Sequence, residues 1–76
     1  METDWQHLYS EHFVWDGKCY LVHIYRRCWC HGRGSHMAET VLGAWDRIIS
    51  DGGTPEEALQ QQLTVLPAAI LSRALL

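Results

Sequence analysis

The chain has 76 residues, 47% of them apolar, with four tryptophans and a formal charge of −3. That length allows one small domain with a modest core and leaves little chain for a closed catalytic pocket. The apolar share excludes disorder by composition, and no apolar run approaches the roughly 20 residues needed to cross a bilayer. Charge is uneven along the chain. Residues 17–36 hold Lys18, Arg26, Arg27 and Arg33 with no acid, +4, while the rest sets nine acids against Arg47 and Arg73, −7. A basic segment on an acidic body points to a local binding patch or to internal complementarity, and away from polyanion binding by the whole surface.

In chain order, residues 3–9 read as a short helical turn, with Thr3 as N-cap and Trp5, Leu8 and Tyr9 on one side. Residues 13–25 read as a β-hairpin. Aromatic and β-branched residues flank Asp16-Gly17, a pair preferred in two-residue type I′ turns. That turn sets Trp15 opposite Lys18, Val14 opposite Cys19, Phe13 opposite Tyr20 and His12 opposite Leu21. One sheet face then carries Phe13, Trp15, Tyr20, Val22 and Ile24, the expected core face; the other carries His12, Val14, Cys19, Leu21, His23 and Tyr25. A strand running on to His31 would be too long for a small domain, so a break, bulge or third strand is expected near Arg26-Arg27.

The hairpin half spans about 10–31, residues 32–35 are the best linker, and a helical half follows over 36–76. Gly34-Ser35-His36-Met37 reads either as the scar of a protease-cleavage and cloning site at an engineered junction or as a natural Gly/Ser linker. Both halves carry incomplete apolar faces that need each other, hence one domain. Met37, Val41, Leu42, Trp45, Ile48 and Ile49 recur at three- and four-residue spacing and predict a first helix, capped by Ser35 and ended by Asp51-Gly52-Gly53. Thr54-Pro55-Glu56-Glu57 opens a second, with an N-cap, a proline at the first helical position and a capping-box glutamate. Leu59, Leu63 and Leu66 form its stripe, and Pro67 predicts a kink or a new helix. The expected fold is α+β: a hairpin, with room for a third antiparallel strand, packed against two helices. Trp45, Ile48, Leu59, Leu63 and Leu66 form the helical core.

All three cysteines, Cys19, Cys28 and Cys30, lie in the basic block with His23, His31 and His36. Zinc is the cofactor to weigh, with Cys19, Cys28, Cys30 and His31 as candidate ligands. The Cys28-Trp29-Cys30-His31 spacing is tighter than a zinc knuckle, and strand parity splits the set between two faces. His12, Cys19 and His23 share a face but lack a fourth ligand. The simpler expectation is no cofactor, with the cysteines packing as small hydrophobes. An odd cysteine number and no signal peptide point to a reducing, cytoplasmic setting. The acids sit at turns and helix starts, where capping accounts for Asp16, Asp51, Glu56 and Glu57, so acid/base catalysis finds no constellation.

The function expected is therefore non-enzymatic: a small regulatory or adaptor protein acting by protein–protein contact. Arg26, Arg27, Trp29 and Arg33 form the expected partner surface, suited to an acidic protein. Ile70, Leu71, Ala74 and Leu75 on the apolar tail form the expected homodimer interface. The alternative is a zinc-stabilised domain contacting nucleic acid through the basic aromatic segment 18–33.

Overall fold

The computed structural model describes residues 5–28 and 34–75. Four strands, β1 (Trp5–Trp15), β2 (Lys18–Arg27), β3 (His36–Gly43) and β4 (Asp46–Gly52), precede one helix, α1 (Pro55–Ala74). They form an antiparallel sheet in the order β1-β2-β3-β4, so the fold is α+β. The β1–β2 and β3–β4 turns therefore lie at one end of the sheet, and the end of β2, the start of β3 and the start of α1 lie at the other.

The first hairpin has the register expected from its turn. Asp16 and Gly17 both take positive φ, 52° and 78°, as a type I′ turn requires. Trp15 pairs with Lys18, Val14 with Cys19, Phe13 with Tyr20 and His12 with Leu21. Val22 and Ile24 are fully buried, and Phe13 packs against them.

Several expectations fail. Residues 5–9 belong to β1, with no helical turn; Thr3 lies outside the described residues. The first helix is absent, and residues 36–52 form the β3–β4 hairpin instead. The sheet thus has four strands where at most three were expected, and one helix covers it instead of two. Ser35 caps nothing. It is buried before β3, where its hydroxyl donates to the Gly53 carbonyl at 3.2 Å and its own carbonyl accepts from the Arg27 N–H at 2.8 Å. Trp45, expected in the core, stands on the β3–β4 turn, 99% exposed.

Helix α1 starts where the sequence places it. The Thr54 hydroxyl accepts from the Glu57 N–H at 3.1 Å, and Glu57 reaches back to the Gly53 N–H at 2.7 Å. The helix runs through Pro67 without starting a second one. At its entry, Gly52 is buried against the first turn. A Cβ on Gly52 would lie 2.7 Å from the Ala58 nitrogen and from the Glu57 Cβ, so the helix can approach β4 this closely only over a glycine.

The core between sheet and helix is small. The buried apolar residues are Val22, Ile24, Ala38, Ala58 and Leu66, fringed by Leu8, Tyr9, Phe13, Ile48, Leu59, Leu63 and Ile70. A fully buried polar group sits among them. The Gln62 amide donates to the Thr40 hydroxyl at 3.0 Å and to the Ile48 carbonyl at 2.9 Å, and accepts from the Ser50 hydroxyl at 2.7 Å. Every buried side-chain polar atom among the described residues has a partner, as a low-dielectric interior demands.

Candidate functional site

Side chains alternate across a strand, so the face opposite α1 is fixed by the residues that α1 buries. With Val22, Ile24, Ala38 and Thr40 inward, the open face carries Cys19, Leu21, His23 and Tyr25 on β2, Met37, Glu39 and Val41 on β3, and Arg47, Ile49 and Asp51 on β4. Register brings them into rows: Ser10, His23, Glu39 and Ile49 lie side by side across all four strands.

Strand β1 joins this face through a bulge. His7 pairs with Tyr25 and Tyr9 with Ile24, which leaves Leu8 as the extra residue. Without it, His7 would share the inward face of Tyr9 and Phe13. The bulge re-aims it outward, beside Ser10. His7 Nε2 lies 2.9 Å and His23 Nδ1 2.7 Å from the Ser10 hydroxyl oxygen. A hydroxyl has one proton, so with neutral rings it donates to one imidazole and accepts from the other. The His7 ring lies 5.7 Å from His23 and 5.3 Å from Tyr25, edge-on to both. The same parity change brings Trp5 beneath the Arg27 guanidinium, 4.8 Å from the ring centroid.

A second polar string continues across the face. The Tyr25 hydroxyl donates to Glu39 Oε1 at 3.4 Å, and Arg47 Nη1 donates to Glu39 Oε2 at 2.6 Å. Burial, then the neighbouring Glu39 charge, pushes the Tyr25 phenol above its ordinary value, so it stays a donor. Around these fixed groups lie Val14, Leu21, Val41 and Ile49, all exposed. The face thus offers oriented donors and acceptors inside an aliphatic border.

The structure distributes the residues expected from sequence. Arg26 is exposed and donates to the Gln6 side chain at 2.7 Å, and Arg27 stacks on Trp5; Trp29 and Arg33 lie outside the described residues. Of the candidate metal ligands, Cys30 and His31 also lie outside them. Cys19 and Cys28 are free and exposed, which corrects their reading as packing residues: Cys19 points to the open face and Cys28 follows the end of β2. Among the described residues no three His, Cys, Asp or Glu side chains gather as a metal site. Ile70 packs against the core, while Leu71, Ala74 and Leu75 are exposed. No described helix is long and apolar enough to cross a membrane.

No protein-family model, curated protein or solved structure matches the chain. Sequence reasoning missed His7, Ser10, Glu39, Arg47, Val41 and Ile49. The available signal was Thr40-Val41 and Ile48-Ile49, β-branched pairs flanking Gly43 and better suited to strands than to a helix.

Proposed function

We propose that the chain is a non-enzymatic protein-binding module of regulatory or adaptor type. It engages its partner through the open sheet face and self-associates through the end where α1 terminates. One observation carries this reading: Val14, Leu21, Val41 and Ile49 are exposed on the single sheet face that α1 leaves bare, around side chains already held by one another. Pre-held side chains lose less entropy on binding than free ones. The homodimer follows from Leu71 and Leu75, exposed on the last helical turns beside Ala74. Arg27 at the rim of the open face favours an acidic partner, while Arg26 has the parity of Val22 and Ile24 and lies on the opposite face.

The test is cross-linked capture from the native host with the wild type and with a Leu21→Asp/Val41→Asp variant. The expected result is a protein recovered by the wild type alone, with both chains melting at the same temperature. Equal recovery by both would remove the sheet face from the reading.

A second reading has its own observation. The rings of His7, His23 and Tyr25 lie 5.3–6.5 Å apart on one sheet surface, with Arg27 on Trp5 beside them, a platform on which single-stranded bases could stack. Oligonucleotide titration at two salt concentrations separates the two: salt-sensitive binding lost in Tyr25→Ala would favour nucleic acid.

A further inference from the structure

The turn end of the molecule holds a ring and a hollow that fit each other. Trp45 is 99% exposed on a two-residue turn, so burial of its ring adds almost nothing to its own fold. A shallow hollow of about 400 Å³ lies at the same end, lined by Trp15, Asp16 and Leu71. Its walls are an indole and an aliphatic chain, and its rim is a carboxylate. An inserted indole would stack on the first two and donate its N–H to the third.

Trp45 cannot reach the hollow within one copy, because the two turns project from different hairpins. They lie about two strand spacings apart, roughly 10 Å. A two-fold axis between them exchanges one turn for the other, so each copy's Trp45 meets the other's hollow. This is the self-complementary arrangement that a symmetric dimer requires. Leu75, 87% exposed on the end of α1, borders the same contact. The small core argues for the same occupant. Among the described residues, three of the five buried apolar side chains, Val22, Ile24 and Leu66, are larger than a methyl, and chains of this size commonly gain stability by association. Each inserted indole would bury about 150–250 Å².

Resting on the self-association proposed above, we infer that the occupant of this end is a second copy of the chain, anchored by reciprocal insertion of Trp45 into the Trp15/Asp16/Leu71 hollow. The arrangement differs from a helix-to-helix dimer: the anchor belongs to the β3–β4 turn and the receptor to the β1–β2 turn with α1.

Sedimentation of the full chain tests it over a range of concentrations. Trp45→Ala weakens self-association at least tenfold with little change in the melting temperature, since the residue is 99% exposed in its own copy. Leu71→Asp spoils the hollow and weakens association comparably. Mixed together, the two variants associate more tightly than either alone, because an intact Trp45 on one meets an intact hollow on the other. A dimer whose dissociation constant is unchanged by Trp45→Ala would overturn the anchor and leave the homodimer standing. A wild-type chain that stays monomeric at every concentration would overturn both. So would a monomer that binds lipid vesicles through Trp45, which would give this end to a membrane surface.

Discussion

The two faces of one sheet differ more than the alternation of their residues requires. On the covered face, Thr40, Ser50 and Gln62 close a hydrogen-bonded set among Val22, Ile24, Ala38 and Leu66. Among the described residues no buried side-chain polar atom there is left unpaired. On the open face, the His7–Ser10–His23 and Tyr25–Glu39–Arg47 strings are equally ordered but reach water, within a border of exposed Val14, Leu21, Val41 and Ile49. Order that stays partly open to water stabilises the fold modestly, because ion pairs and hydrogen bonds in contact with solvent contribute at most about 1 kcal/mol. The difference teaches that the covered face serves stability, while the open one is spared that task and is free for the recognition proposed above.

The comparison breaks most readily at Gln62. Gln62→Ala leaves the Thr40 and Ser50 hydroxyls and the Ile48 carbonyl without a partner and opens a cavity, which should cost about 3 kcal/mol in urea unfolding. Gly52→Ala should follow at about 2 kcal/mol, since its Cβ would strike the Ala58 backbone and force the helix off β4. Removing the cap with Thr54→Ala should cost about 1 kcal/mol, read as a lower melting temperature. On the open face, Val41→Ser should change stability by no more than about 0.5 kcal/mol while weakening partner capture. A loss there as large as at Gln62 would erase the distinction between the faces.

The pH dependence sharpens the contrast with the smallest effect. The Tyr25 phenol is raised by burial and then by Glu39. A raised folded value means that the stabilisation is present below the ordinary tyrosine value near 10 and is lost as pH rises through the folded one. Absorbance titration should show two late-ionising phenols, Tyr9 and Tyr25, of which Tyr25→Phe removes one. At the far end of the sheet the sign reverses. Hydrogen bonds from Arg73 hold the Asp46 carboxyl below its ordinary range, so that clasp persists above this range and releases as pH falls through the depressed value. Amide exchange over residues 70–74 should then quicken.

How much could be read in advance follows from the same two faces. The first hairpin was legible because Asp16-Gly17 admits one turn type and hence one register. The start of α1 was legible because Thr54, Pro55 and Glu57 each meet a separate requirement of a helix N-terminus. The β3–β4 hairpin was hidden because its open face keeps Val41 and Ile49. With apolar residues on both sides, the two-residue alternation blurs, and Met37, Val41, Leu42, Trp45, Ile48 and Ile49 imitate a helical stripe. The bulge hid β1 in the same way: an extra Leu8 turns strand spacing into the Trp5, Leu8, Tyr9 pattern of a helical turn. The features that obscured the fold are thus those that build the candidate site. The basic block was visible, but sequence placed the contact surface there and could not show that strand pairing sets Tyr25 beside Glu39 and Arg47.

The buried Gln62 also bears on how the chain avoids misfolding. A two-residue slip of β4 along β3 would keep every side chain on its proper face, and apolar burial alone would scarcely oppose it. Only one alignment sets the Thr40 hydroxyl, the Ile48 carbonyl and the Ser50 hydroxyl around the same amide. When α1 docks, the glutamine proofreads the second hairpin. A slipped hairpin would leave that amide buried and unpaired, so docking of α1 favours this one alignment of β3 and β4.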